Sequence, residues 1–284
     1  MLVKSLNVYE HFGIPAPEGA VGKLTCYSPM ISHEISRNRK RPAVLVLPGG
    51  GYFMTSEREG EPVALRFLAR GYTAFVLEYS CAPHTFPVAL REACMAMRYI
   101  RENAARFCVD PKMVAAIGFS AGGHLCGTLG TMYDCPEVAD LGSAELLRPD
   151  ALGLCYPVLI GWGPTHEGTF ENISGGDAAL RARLSIDKQV RPDMPPVFLW
   201  HTRDDNCVPC RNSLIMACAL EEAGVDMALH LYRHGDHGLS VKDETVYPAQ
   251  GVPSTSGDVT AWLDAMLNFF LETGLRIADF PEEN

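Results

Sequence analysis

The sequence predicts an α/β fold: a mostly parallel central sheet with helices on both faces and a small insertion over one edge. Three observations predict it. Apolar, β-branched runs recur along the chain, stretches with helical periodicity separate them, and a serine bracketed by glycines stands where one run gives way to the next helix. Near-continuous apolar strands alternating with helices imply parallel strands covered on both sides. At 284 residues, 47% hydrophobic and 20% charged, the chain can fill one large core. Neither an internal repeat nor a low-complexity linker divides it, so residues 1–284 are read as a single domain.

Residues 5–30 supply antiparallel strands at the sheet edge. The remaining strands are Ala43–Leu47, Thr73–Leu77, Met113–Ile117, Ala151–Val158, Val197–Trp200 and Met227–Tyr232. Right-handed crossovers place their C-terminal ends, and with them any site, along one edge. Phe86, Leu90, Ala93, Met97, Ile100 and Ala104 recur at alternating spacings of four and three, which makes the apolar stripe of a helix. Asp258 precedes a C-terminal helix with Val259, Trp262, Met266 and Phe269 on one face, ended by Gly274 and the Pro281-Glu-Glu tail. Both stripes are core, and neither reads as a cofactor box. Between Gly161 and Pro195 the pattern loosens around Gly161-Trp162-Gly163-Pro164-Thr165-His166 and Ile173-Ser174-Gly175-Gly176. A segment of about 161–195 between two strands sits where a lid would cover the strand ends.

The chemistry centres on Gly118-Phe119-Ser120-Ala121-Gly122-Gly123, directly after the run Met113–Ile117. A serine on a strand-to-helix turn this sharp tolerates only small neighbours, and its hydroxyl is lifted towards a base. Such a hydroxyl needs a histidine to take its proton and a carboxylate to orient the histidine, in chain order serine, acid, histidine. The acid follows Val197–Trp200, where Asp204 and Asp205 compete. Asp205 opens Asp-x-x-Val208-Pro209, which tucks its loop against the core, and neighbouring side chains diverge, so Asp205 is favoured. The histidine follows Met227–Tyr232 in His234-Gly235-Asp236-His237-Gly238; His237, on the glycine-bearing loop, is favoured over His234 because the base must reach the hydroxyl. Oxyanion donors are expected from the N–H of Ala121 and from the loop Pro48-Gly49-Gly50-Gly51-Tyr52, with Gly50 first and Gly49 or Gly51 beside it.

His124, one turn into the helix after Ser120, reads as a structural brace, and Trp200 and His201 read as strand core. Tyr52, Tyr156, Trp162 and His166 lie after strand ends or in the insertion and are candidate substrate-binding wall residues. No metal or cofactor is expected, since His234, Asp236 and His237 have no matching cluster of ligands. Cys207-Val208-Pro209-Cys210 has no second pair, and the ten cysteines read as free thiols. A net charge of −10 argues against a nucleic-acid partner. No apolar run approaches the ~20 residues of a membrane span, and Met1–Asn7 lacks the succession of an export signal, so a cytoplasmic location is expected. Association into a homo-oligomer is left open.

These segments resemble the α/β-hydrolase superfamily and, more narrowly, its acetyl-xylan-esterase-like and hormone-sensitive-lipase-like carboxylesterases. The resemblance runs through Pro-Gly-Gly-Gly-Tyr at 48–52, Glu-Tyr-Ser-x-Ala-Pro at 78–83 and Gly-Phe-Ser-Ala-Gly-Gly-His at 118–124. It continues through Tyr-Pro-Val at 156–158, Phe-Leu-Trp-His-Thr-x-Asp-Asp at 198–205 and Gly-Asp-His-Gly-Leu-Ser at 235–240. It implies the α/β-hydrolase fold, Ser120, Asp205 and His237 as triad, and Ala121 with Gly49, Gly50 and Gly51 as oxyanion hole. The implied activity is hydrolysis of small acyl esters, with acetylated carbohydrate as the partner molecule. Lipase-like members carry a histidine before the three glycines; Pro48 stands there instead and favours the sugar-esterase branch. Arylformamidases and some peptidases share the same machinery, so amide cleavage is the alternative.

Overall fold

Strand and helix alternate along nearly the whole chain. The computed structural model describes residues 1–30, 32, 34–36, 38–248 and 257–279. They run β1 (Leu2–Asn7), α1 (Val8–Phe12), β2 (Lys23–Ser28), β3 (Arg39–Leu47), α2 (Glu61–Ala69), β4 (Thr73–Glu78), α3 (Val88–Glu102), β5 (Val109–Phe119) and α4 (Ala121–Met132). There follow α5 (Ala144–Leu147), β6 (Ala151–Cys155), α6 (Glu167–Ser174), α7 (Ala178–Arg183), β7 (Val197–Thr202), α8 (Arg211–Glu222), β8 (Met227–Tyr232), α9 (Trp262–Glu272) and β9 (Ala278–Asp279).

The sheet order is β1-β2-β4-β3-β5-β6-β7-β8, with β9 pairing to the start of β3. From β4 to β8 every pairing is parallel, while β1 and β2 are antiparallel at one edge. Period-two alternation splits the core between the two faces. On β3, Ala43, Leu45 and Leu47 join one cluster with residues of α1, α3, α4 and α8. Val44 and Val46 point the other way, into a cluster with Val63 and Phe67 of α2 and Trp262, Met266 and Phe270 of α9.

After β3 the chain first adds β4 on one side and then crosses to add β5 on the other. That reversal opens a crevice beyond the carboxyl ends of β3 and β5, the usual ligand site of an open α/β sheet. The glycine loop leaves β3 there, and Ser120 leaves β5 there. This is the mostly parallel α/β-hydrolase architecture that the sequence predicts.

Local boundaries differ from the sequence reading in three places. The strand expected over Ala151–Val158 stops at Cys155, because Tyr156 takes φ 36° and Pro157 follows. Phe86 and Ala104 fall outside α3, although Leu90, Ala93, Met97 and Ile100 are buried as the stripe requires. The C-terminal helix begins at Trp262, after a 3-10 turn over Gly257–Ala261; Gly274 follows its end at φ 99°, and the Pro281 tail lies outside the described residues. Residues 156–196, which join β6 to β7, carry α6 and α7. No helix among the described residues is long and apolar enough to cross a membrane.

Crossing β5 and α4 at the serine turn leaves no room for side chains. A Cβ on Gly122 would land on the carbonyl oxygens of Leu47 and Pro48, and one on Gly118 would land on the carbonyl of Gly122. Gly122→Ala is therefore expected to cost roughly 3 kcal/mol, at the upper end for overpacking against backbone. Urea unfolding measures it; a loss under about 1 kcal/mol would contradict this account of the turn.

Candidate active site

Ser120 stands between β5 and α4 at φ 53°, ψ −117°. A non-glycine residue there carries about 1–3 kcal/mol of strain, which surrounding contacts must hold. They do so from both sides. Its N–H donates to the Cys155 carbonyl (3.0 Å), and its own carbonyl accepts from the N–H groups of His124 (3.2 Å) and Val158 (3.1 Å). The hydroxyl is left facing the crevice.

Two loops from neighbouring strands meet it. His237, after β8, places Nε2 at 2.7 Å from Ser120 Oγ and Nδ1 at 2.7 Å from Asp205 Oδ2. Asp205, after β7, is fully buried at its side chain, and its Oδ1 accepts from the N–H groups of Cys207 (2.9 Å) and Val208 (2.8 Å). Burial alone raises the pKa of such a carboxyl. Hydrogen bonds from His201 and His237, the charge of His237 and the Val208 N–H overcome it and hold Asp205 well below the usual carboxylate range. The competing pair is separate: Asp204 accepts from His234 Nδ1 at 2.7 Å, and both are exposed. Adjacent aspartates thus serve different histidines, as side-chain divergence predicts.

His201 and His124 are buried braces. His201 Nε2 lies 3.0 Å from the Val208 carbonyl and 3.3 Å from Asp205 Oδ2, while Nδ1 lies 2.8 Å from Ser213 Oγ. Two acceptors at Nε2 put the ring proton there, so Ser213 donates to Nδ1 and His201 supports Asp205 from beneath. His124 accepts from the Tyr52 hydroxyl (2.9 Å) and donates to the Leu184 carbonyl (2.8 Å). Burial pushes it down to about 4, against the pull of that carbonyl, so the ring is neutral near pH 7.

The glycine loop corrects one expectation. The N–H of Gly49 is not free for an oxyanion: it donates to Glu59 Oε2 at 2.8 Å. Gly50 and Gly51, at φ 123° and 64°, make no backbone N–H hydrogen bond among the described residues, and Ala121 is the first residue of α4, where an N–H has no intrahelical acceptor. Gly50, Gly51 and Ala121 are therefore the available donors. Glu59 was not legible beforehand, since in Ser56-Glu57-Arg58-Glu59 it reads as part of a solvated charged turn. It is buried, its other oxygen accepts from the Tyr156 hydroxyl (2.7 Å), and Tyr156 in turn accepts from the N–H of Ser240 (2.9 Å).

The cleft over Ser120 and His237 has a volume of about 590 Å³. Its walls include Gly50, Gly51, Phe53, Met54, Arg58, Glu59, His166, Asn172 and Cys207. Of the four expected wall residues only His166 is there. Tyr52 is turned into the core against His124, and Tyr156 lies under His237, ring centroids 5.1 Å apart. Trp162 stands outside, 47% exposed, donating to Asp187 with Lys188 over its ring. Residue type and loop position could not separate a wall residue from one packed just behind it. The exposed rim is made instead by Phe53 (75% exposed) and Met54 (51%).

The BD-FAE family model matches residues 31–143, and that of the prolyl oligopeptidase family matches residues 93–271. The acetyl ester-xyloside bifunctional hydrolase of Caldicellulosiruptor lactoaceticus superposes with a TM-score of 0.77 at 35% identity, over 89% of each chain. This chain belongs to the acetyl-xylan-esterase-like α/β hydrolases. It is also similar to endo-1,4-beta-xylanase B of Butyrivibrio fibrisolvens (37% identical over 73% of this chain) and to an acetylxylan esterase of Xylanibacter ruminicola (29% over 80%). The chain spans only 34% and 46% of the lengths of those two relatives.

In this α/β hydrolase the arrangement supplies what acyl transfer needs: a hydroxyl against an imidazole, a carboxylate behind it, and unpaired N–H groups beside the hydroxyl. Replacing Asp205 by Asn keeps the shape but removes the charge, and kcat for ester turnover is expected to fall about 10⁴-fold. Stability should respond with a defined sign. Asp205 is held ionised more firmly in the folded chain than in the unfolded one. Its contribution is therefore present above ~pH 4 and is lost as pH falls through the depressed folded value. Unfolding at several pH values should show Asp205→Asn less stable than wild type near pH 7, with the gap closing in acid. A gap that widens in acid contradicts the assignment.

Proposed function

We propose that this protein is a serine carboxylic ester hydrolase for short-acyl esters that removes acetyl groups from sugars such as xylo-oligosaccharides. One observation carries the reading: the unbroken hydrogen-bond relay from Ser120 through His237 to Asp205, opening on a cleft with donor N–H groups. Ser120 Oγ attacks the acyl carbon while His237 Nε2 takes its proton. The oxyanion accepts from Ala121 and from Gly50 or Gly51. The imidazolium, steadied by Asp205, then gives its proton to the leaving alcohol, and an acyl-enzyme remains. Water, deprotonated by the same imidazole, releases the carboxylic acid.

His166 supports a polar alcohol. Its Nδ1 accepts from the N–H of Thr169 (3.2 Å), so the ring proton sits on Nε2, a donor with no partner among the described residues. Burial, and then the charge of His237, lower its pKa, which keeps it a neutral donor for a sugar hydroxyl. The relatives named for acetyl ester, xyloside and xylan chemistry point the same way. The match to the prolyl oligopeptidase family favours a second reading, cleavage of an amide by the same machinery.

A substrate panel separates them. Acetylated xylo-oligosaccharides and p-nitrophenyl acetate should turn over, p-nitrophenyl esters beyond butyrate should fade, and N-formyl and peptide substrates should be poor. A fluorophosphonate should label wild type and leave Ser120→Ala unlabelled. Faster peptide or formamide turnover would select the second reading, and labelling retained in Ser120→Ala would refute the nucleophile.

A further inference from the structure

We propose that Glu59 is a positioning residue: its carboxylate ties the oxyanion loop to the histidine loop, and turnover requires it ionised. This rests on the hydrolytic reading of the Ser120 site and adds a residue to it.

The three connections that meet at Glu59 and Tyr156 are buried. Glu59 Oε2 takes the N–H of Gly49, which fixes the start of the loop whose next two residues, Gly50 and Gly51, line the cleft. The preceding carbonyl, of Pro48, is fixed separately by the Tyr79 hydroxyl (2.6 Å). Glu59 Oε1 takes the hydroxyl of Tyr156, whose ring packs against His237 and whose oxygen receives the N–H of Ser240, three residues beyond His237. Ser240 is anchored again: its hydroxyl donates to the Arg58 carbonyl (2.6 Å), and its carbonyl accepts from Trp262 Nε1 (3.0 Å). One carboxylate therefore reaches both halves of the machinery.

Donor accounting requires the charge. Ser240 donates to the Tyr156 oxygen, so the Tyr156 proton goes to Glu59, and Gly49 can only donate. An ionised Glu59 satisfies both. A proton on Oε2 would meet the Gly49 N–H head-on. A proton on Oε1, donated to Tyr156, would leave the phenol proton without an acceptor. Either way a buried donor is orphaned, a costly outcome in this setting.

The titratable and charged groups facing Glu59 are Tyr156 and Cys155 from the end of β6, Tyr79 from the end of β4, His237 from the loop after β8, Tyr247, and Arg58 of its own turn. Burial pushes its carboxyl up from the ordinary range. The Tyr156 hydroxyl, the Gly49 N–H and the charges of His237 and Arg58 pull it back part of the way. Removing the Tyr156 hydroxyl therefore moves Glu59 further up.

Two variants test this with p-nitrophenyl acetate, active enzyme being counted by fluorophosphonate labelling. Glu59→Gln should lower kcat roughly 100-fold, as for loss of an oxyanion donor, with KM within about threefold. Tyr156→Phe keeps the carboxylate but makes it more basic, so the acid limb of its kcat/KM profile should move to higher pH. A structural brace alone would lower thermal stability and leave both readouts in place. A Glu59→Gln kcat within about threefold of wild type, or a Tyr156→Phe limb that stays put or moves down, overturns the proposal. If Glu59→Gln does not fold, the Tyr156→Phe profile decides alone. Wild type inert to both probe and esters would instead sink the hydrolytic reading, and this inference with it.

Discussion

A serine held at positive φ is the constraint around which this molecule is arranged. The reversal from β5 into α4 can be made only if Ser120 takes a conformation that side chains avoid. Gly118 and Gly122 remove the atoms that would collide, and the Cys155 carbonyl pins the Ser120 N–H. The strain is therefore held from both sides, by the end of β6, by His124 of α4 and by Val158 just beyond β6.

Around that fixed point the site is built from buried carboxylates used in two ways. Asp205 is ringed by donors, two backbone N–H groups and two imidazoles, and its charge is stabilised strongly enough to defeat burial. Glu59 has fewer donors, a backbone N–H and one phenol, and burial keeps the upper hand. The difference follows from the count and charge of partners, since both carboxylates are out of water. Beside them, Asp204 and His234 repeat the acid–histidine pairing at the surface, where water competes and the pair makes no contact with the serine.

The hydrogen-bonded convergence of Ser120, His237 and Asp205 was legible because its logic is topological. Parallel strands put their C-terminal ends together, so Ser120, Asp205 and His237, each just beyond such an end, had to converge; side-chain alternation then separated Asp205 from Asp204. Glu59 was illegible because it follows no strand and sits in a short charged turn, where only its burial distinguishes it from its exposed neighbours Glu57 and Arg58. Gly49 departs from the expectation for the same reason, since its N–H donates to a partner the sequence did not single out. Tyr156 and Trp162 show a different limit. Aromatic residues near a strand end fall on the cleft, beneath it or outside it according to a turn of one residue, and the φ of 36° at Tyr156 has no signature in the sequence.

The most direct test of the account is a crystal structure of the protein after reaction with a short alkyl fluorophosphonate, a mimic of the tetrahedral intermediate. The account predicts phosphorus bonded to Ser120 Oγ, its free oxygen about 2.7–3.1 Å from the N–H groups of Ala121 and of Gly50 or Gly51, and Gly49 still bonded to Glu59. A phosphonyl group on another residue, or an oxygen held by the Gly49 N–H with Glu59 displaced, would contradict it.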